Sequence, residues 1–522
     1  MMSQVLHKKS IIKKTVQIGG STLISRFLGI IRELLMVRFL GAGIVSDAFL
    51  TAYKIPSSLR KIFAEGALSA AFVPSFIAAL RKKENEAYSL MSLAFVLFEG
   101  SLLILCALIM IFARPVIATI APGFSVEQVA ITVPLLRVLM PFIFFISSSA
   151  LLAGALQAVG HFFVPAFGPI LLNIVFIAGL GICWFLQLPV IYLCFFILLG
   201  GFLQFLQHLH AYFKLNFAFG RITKNTWDSF SSILAKFFMV LLSMSVMEIS
   251  LFIDTSFASY LPEGSISLIY YANRFVGIPL GVFAVAFSTI LLPHFSRIST
   301  YAPKRLNFYL LESAKLVFWV TTPCMLAMIF FSEKIFTTLF LSESFSLAQA
   351  HEAGLILVAF VIGLFFFSFN KIILNVFYAL HETKIPSIVS IIATVVNILL
   401  NFMLMNSLKA TGLALATTIS SILQTLLLLY FLRRMYGYHA YLTQFWIFAG
   451  RYALQVLITG IIFMAAYTGI TMAITFIFPH TLAHFFLEKL GFWLWVGPLS
   501  LAAGLFLYYY RRLFGVRLYF LD

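Results

Sequence analysis

The chain has 522 residues, 62% of them hydrophobic and only 10% charged, with 35 Lys and Arg against 18 Asp and Glu. A soluble globular chain is typically about 25% charged, so this composition argues against a water-soluble domain and for a polytopic membrane protein. The formal net charge of +17 is then better explained by topology and anionic lipid headgroups than by nucleic acid.

Apolar runs near twenty residues long recur from end to end, the signal of spanning helices. Broken at charged residues, Pro and Gly, they predict an all-α polytopic membrane protein with about 14 transmembrane helices. The spans fall at 15–40, 46–80, 88–113, 128–157, 163–186, 189–213, 230–260, 264–297, 309–332, 347–379, 385–406, 410–432, 446–473 and 490–510. The first follows a basic stretch but contains Arg26, Arg32 and Glu33 and no small-x-small cleavage site, so it is read as a retained helix and not a signal peptide. The second is too long for one straight crossing: about 35 residues at 1.5 Å each span roughly 52 Å, against a hydrocarbon core near 30 Å. Pro56, which frees the carbonyl of Ala52, is expected to bend it. The 60 Phe are read as lipid-facing and packing side chains. The four Cys and ten His are dispersed, with no CxxC pattern, Walker A loop, GxSxG elbow or HExxH pair, so no metal, disulfide framework, cofactor or catalytic site is expected.

With the N-terminus cytoplasmic, these spans put 19 Lys and Arg in cytoplasmic tails and loops and 5 on the opposite side. That asymmetry follows the positive-inside rule and places both termini in the cytoplasm. The halves echo each other at an offset near 220 residues: FVPSF (72–76) answers LLPHF (291–295), and GFLQFL (201–206) answers SILQTL (421–426). A repeat of six spans relates two copies of the same orientation, a pattern found in transporters that bind substrate between their halves. The expected organisation is an N-lobe at 1–213, a cytoplasmic linker at 214–229, a C-lobe at 230–435 and an added C-terminal helix pair at 436–522.

With Arg38 and Arg297, at span ends, counted among the loops, eleven Lys and Arg remain inside the predicted spans. Lys236, Lys315 and Arg451 lie near cytoplasmic ends and can snorkel. The other eight are Arg26, Arg32, Lys54, Arg60, Lys61, Arg137, Arg274 and Lys371. Each costs about 2.5–3.5 kcal/mol at a helix centre, which makes function the default reading. On the second span Asp47, Lys54, Ser58, Lys61 and Glu65 are spaced 7, 4, 3 and 4 apart and fall within about 60° on one face. Lys61 and Glu65 are candidates for an i,i+4 pair. Arg60 falls off this stripe if the helix is ideal. The acids read as lying inside the membrane are Glu33, Asp47, Glu65, Glu99, Glu248 and Asp254. Cations exceed them, and Arg suits forked phosphate contacts, so a wet, cationic cavity that binds an anion is expected. The bland alternative is that every arginine is neutralised structurally. Asp254 is read evenly as a monovalent-cation or proton site and as a member of an ion pair.

SRFLGIIRE (25–33), SDAFLTAYKIPSSLRKIFAEGALSAAFVP (46–74), APGF (121–124), YYANRFVGIPLGVF (270–283) and TILLP (289–293) closely resemble the MurJ (MviN) family. Its members are lipid II flippases of the multidrug/oligosaccharidyl-lipid/polysaccharide exporter superfamily. The resemblance implies two pseudo-symmetric six-helix lobes plus a C-terminal pair. It also implies flipping of lipid II, the undecaprenyl-pyrophosphate-linked muropeptide, from the inner to the outer leaflet of the bacterial cytoplasmic membrane by alternating access. The protein is then not an enzyme, its partners are lipid II, the bilayer and the cell-wall synthesis machinery, and nucleic acid has no part. By motif, the family's cavity arginines fall on Arg26, Arg32, Arg60 and Arg274, and its other substrate-site charges on Asp47, Lys54 and Glu65, with Lys61 beside them. Many relatives read ADRLMEFP where this chain has ANRFVGIP, so Asn273 and Gly277 replace two acids. Asp254 resembles an acid that joins a sodium site in some relatives, with Thr394 and Asn397 as candidate partners. The coupling ion, sodium or proton, stays open, as does drive by membrane potential. A flippase for another polyprenyl-linked oligosaccharide is the alternative. A drug/cation antiporter fits less well, because a site for organic cations should carry surplus acid.

Overall fold

The computed structural model describes residues 8–63, 68–302, 305–437 and 442–522. They are nearly all helical and divide into two compact units, Met1–Ile266 and Ser267–Asp522. The first unit is built from α1 (Lys8–Leu40), α2 (Ile44–Arg60), α3 (Leu68–Lys82), α4 (Glu84–Ala94), α5 (Gly100–Ile111), α6 (Ala113–Ile120), α7 (Val126–Leu139), α8 (Pro141–Ala158), α9 (Phe163–Phe185), α10 (Val190–Lys214) and α11 (Lys224–Ala258). A π-helical segment, Phe95–Glu99, joins α4 to α5. The second unit follows with α12 (Ser265–Pro279), which starts at the junction, then a π-helical segment Leu280–Val285 and α13 (Ala286–Tyr301). It continues with α14 (Leu306–Phe330), α15 (Ser332–Leu339), α16 (Leu347–Val361), α17 (Leu364–Ala379), α18 (Lys384–Tyr436), α19 (Leu442–Ile477), α20 (His480–Glu488) and α21 (Phe492–Tyr510).

Among the described residues, each of the fourteen apolar runs falls largely on helix. Among the described residues, nine helices are long and apolar enough to cross a membrane, or ten if the bent pair Leu347–Val361 and Leu364–Ala379 is one span. Two differences from the run count have local causes. The runs at 385–406 and 410–432 merge into α18, which is broken where Lys409 takes φ 48° and ψ −132°. There the chain reverses so tightly that a side chain on Gly412 would sit 2.6 Å from the Leu404 carbonyl oxygen. Conversely, α1 and α2 hold too many charges to read as simple apolar spans. α2 stays helical through Pro56.

Helix starts follow ordinary capping chemistry. The Ser125 and Ser346 hydroxyls accept from the Gln128 and Gln349 backbone N–H groups, and each glutamine side chain accepts from its serine's N–H in return. The abundant Phe residues build the interior. In the first unit Phe72, Phe76, Phe98, Phe230 and Phe237 pack with buried Tyr212, joining α3, the π-helical segment after α4, α10 and α11. In the second, Phe295, Phe369 and Phe377 pack with aliphatic residues of α13, α14, α17 and α18. Residues 511–522 fold back, burying Val516 and Leu518 against Leu316, Phe448 and Tyr452. Asp522 there holds Arg511, Arg512 and the Leu518 N–H.

Candidate functional site: charged side chains within the helices

The polar stripe of α2 comes together along one side of that helix, and α11 supplies most of its partners. The Lys54 ammonium donates to the Leu251 carbonyl at 2.6 Å and to the Thr255 hydroxyl. One step further along, Lys61 forms an ion pair with Glu248, at 3.1 Å to Oε1 and 3.4 Å to Oε2. Lys54 and Lys61 are seven residues apart, as are Glu248 and Thr255, so antiparallel helices meet at rungs spaced by two turns, about 10.5 Å. Lys61 remains 43% exposed, so much of its charge still faces solvent. Its expected partner, Glu65, lies outside the described residues. Asp47, at the start of the stripe, is 2% exposed and accepts from the Gly264 N–H at 2.7 Å, fixing the turn that follows α11. Arg60 is the last residue of α2 and is half-buried, and the π-helical turn 61–63 begins directly after it.

Two more cations stand on α1. The Arg32 guanidinium donates to Glu33 Oε1 at 2.7 Å and to Asn173 Oδ1 at 3.0 Å, and lies over the Phe176 ring at 5.1 Å. Asn173 in turn donates to the Ser25 carbonyl at 3.2 Å. Arg32 is thereby oriented by a carboxylate, an amide and an aromatic face, the arrangement a planar guanidinium favours. Arg26 is exposed and lines a cavity of about 320 Å³ with Ser25, Gln157, Phe162, Pro165, Ala166 and Pro169. That cavity lies between α1, α8 and the start of α9.

In the second unit Arg274 donates to the Tyr270 hydroxyl one turn earlier on α12, and its guanidinium stacks over that ring at 4.5 Å. Arg274, Asn273 and Gly277 are all exposed, and Gly277 has open space around it. The positions where relatives carry acids thus lie beside an accessible arginine. Asp254 is half-buried on α11 in the first unit. Thr394 and Asn397 belong to α18 in the second. There Thr394 donates to the Ser390 carbonyl, and Asn397 donates to the Thr417 hydroxyl at 3.4 Å and accepts from Asn401 at 3.2 Å. Among the described residues, no three His, Cys, Asp or Glu gather into a metal site.

A sequence model of the family described as lipid II flippase MurJ matches residues 36–490. The chain belongs to this family. It is 32% identical to the probable lipid II flippase MurJ of Buchnera aphidicola subsp. Acyrthosiphon pisum, over 80% of this chain and 83% of that protein. It is 31% identical to the lipid II flippase MurJ of Burkholderia cenocepacia, over 81% and 84%. A solved structure of lipid II flippase MurJ in an inward closed conformation superposes with a TM-score of 0.77, at 27% identity, over 95% of this chain and 99% of that one. An inward-facing MATE family multidrug transporter superposes at 0.66 with 17% identity, over 76% and 91%, which shows a shared fold alone. As a MurJ family member with helices of this length and apolarity, the chain is a multi-pass membrane protein.

Several partners escaped sequence reasoning. Asn173 had a weak signal, as the one amide in the apolar run 163–185. Glu248 was visible as an intramembrane acid, but its pairing with Lys61 was not, because sequence spacing favours a neighbour on the same helix. The Leu251 carbonyl and the Gly264 N–H are backbone atoms whose availability no sequence pattern announces.

Proposed function

We propose that the protein translocates lipid II from the inner to the outer leaflet of the bacterial cytoplasmic membrane by alternating access. The observation that carries this reading is the family match across residues 36–490. The intramembrane cations support it. A pyrophosphate and sugar-peptide head cannot cross about 30 Å of hydrocarbon unaided. Arg26, Arg32 and Arg60 supply positive charge to receive it, two of them with exposed or half-exposed side chains and the third held in a fixed orientation. Arg274, stacked on Tyr270, has the same role in the second unit. Lys54, Lys61 and Asp47 hold α2 to α11 and the turn after it, and so set where Arg60 stands. The polyprenyl tail stays in lipid, and no covalent step is involved.

In this reading the chain crosses the membrane fourteen times, as two six-helix lobes and a terminal pair, with both termini cytoplasmic. A sodium ion or proton at Asp254, or the membrane potential itself, drives the cycle. The cell-wall synthesis machinery consumes the product. The test is replacement of the resident flippase in a depleted strain, scored by externally exposed lipid II. Arg32→Ala, Arg60→Ala and Arg274→Ala should each abolish rescue at normal protein levels. Full rescue by all three would refute the anion-site reading.

A further inference from the structure

One intramembrane acid has no place in the scheme above. Glu99 is the sixteenth residue of the 28-residue helical run Glu84–Ile111, so it stands roughly 18–22 Å from either end. It is the only charged residue between Glu86 and Ile111 and is 2% exposed. Its carboxyl group is clamped by two adjacent serines of α8: the Ser147 hydroxyl donates to Oε1 at 2.7 Å and the Ser148 hydroxyl to Oε2 at 3.0 Å. Both serines are fully buried. Among the described residues no Lys, Arg or His bonds to Glu99. It also closes the π-helical segment Phe95–Glu99, a feature that often marks functional sites because the wider turn re-aims a side chain.

A carboxylate held in an apolar interior by neutral hydroxyls alone is expensive, and apolar or amide side chains would serve packing better. What a carboxyl group offers that an amide does not is the exchange of a proton, and the clamp can satisfy both of its states. With the carboxylate ionised, each hydroxyl donates to one oxygen, as observed. With one oxygen protonated, a serine must accept from it and find another acceptor for its own hydroxyl hydrogen. The neighbouring Ser149 shows that acceptor, since its hydroxyl donates to the Phe145 carbonyl four residues back at 2.7 Å. The same turn of the hydroxyl would aim Ser147 at the Ile143 carbonyl and Ser148 at that of Phe144.

We propose that Glu99, clamped by Ser147 and Ser148, is a proton-binding site inside the first unit. Uptake adds one proton from water to one carboxyl oxygen, and no bond between heavy atoms changes. Of the elements around Glu99, α5 brings Cys106, whose thiol donates to the Met140 carbonyl. α8 brings only the serines, and α11 brings Phe230 and Phe237 against the adjacent Phe98. α8 also carries Gln157 into the cavity lined by Arg26, nine residues beyond Ser148, or about 14 Å along the helix. Use of this proton to drive translocation rests on the function proposed above. The binding of the proton does not.

The test is infrared titration of the purified full-length protein in lipid nanodiscs, without lipid II, in H₂O and D₂O. The wild type should show a titrating carboxyl C=O band that shifts in D₂O, and Glu99→Gln should lose it. Ser148→Ala, which removes one donor to the ionised form, should keep the band and move its midpoint up by about one pH unit. An unchanged set of titrating bands in Glu99→Gln, or an unmoved midpoint in Ser148→Ala, would overturn the proposal. Should Glu99→Gln not fold, the Ser148→Ala midpoint decides alone. Because the titration contains no lipid II, its failure is distinct from failure of the flippase reading.

Discussion

Gly264→Ala tests whether the turn between α11 and α12 is built as described. Gly264 has φ +89°, and a methyl group there would meet the Ala42 carbonyl oxygen at 2.8 Å and its carbon at 3.1 Å. Holding an L-residue in the left-handed region costs about 1–2 kcal/mol. The overlap is with backbone, which cannot rotate away, and adds about 1–3 kcal/mol, as overpacking does elsewhere. Together these give about 2–5 kcal/mol, a factor of about 30 or more in the unfolding equilibrium. Any shift of the turn also strains the 2.7 Å bond from the Gly264 N–H to Asp47. Asp47→Asn keeps an acceptor but loses the charge, and should cost about 1 kcal/mol alone. Because the two residues touch, the double variant should depart from additivity by about 0.5 kcal/mol or more. The assay is reversible unfolding of the purified protein in mild detergent by a denaturing detergent. A Gly264→Ala protein within about 0.5 kcal/mol of wild type would refute the reasoning.

Asn173→Ala removes one of the bonds that orient Arg32 and should cost about 1–2 kcal/mol in the same assay, while Asn173→Asp, which keeps an acceptor, should cost less. Lys61→Met and Glu248→Gln should each cost about 1 kcal/mol or less, because Lys61 is partly exposed; the double variant should cost little more than either, since both remove the same pair. At the chain's far end, partial burial raises the Asp522 carboxyl, but the Leu518 N–H and the charges of Arg512 and Arg511 outweigh it and hold it below the usual range. With the folded value depressed, the clasp's contribution is present above the unfolded value, near 4, and is lost as pH falls through the folded one. Hydrogen exchange of residues 511–522 should therefore quicken on acidification in wild type and be fast at all pH values in Asp522→Asn.

Composition alone dictated the class of this protein. With so few charges and apolar runs throughout, only helices that satisfy their own backbone groups are viable in a bilayer, and the long apolar helices fall where the runs are. Helical periodicity also placed Asp47, Lys54, Ser58 and Lys61 on one side of α2, because those angles depend on a single helix. What those charges face depends on which helix lies alongside, and that was decided by tertiary structure. Lys61 meets Glu248, 187 residues away in sequence, Arg32 meets Asn173, and Asp47 meets a backbone N–H. Glu99 makes the same point. The sequence marked it as an acid in a membrane helix, but only the packing of α8 brought two serines to its oxygens. Hydrophobic burial is non-directional and is written in composition and period, whereas a hydrogen bond needs two groups within about 3 Å in the right orientation, and for residues far apart in the chain only the folded packing of helices supplies that.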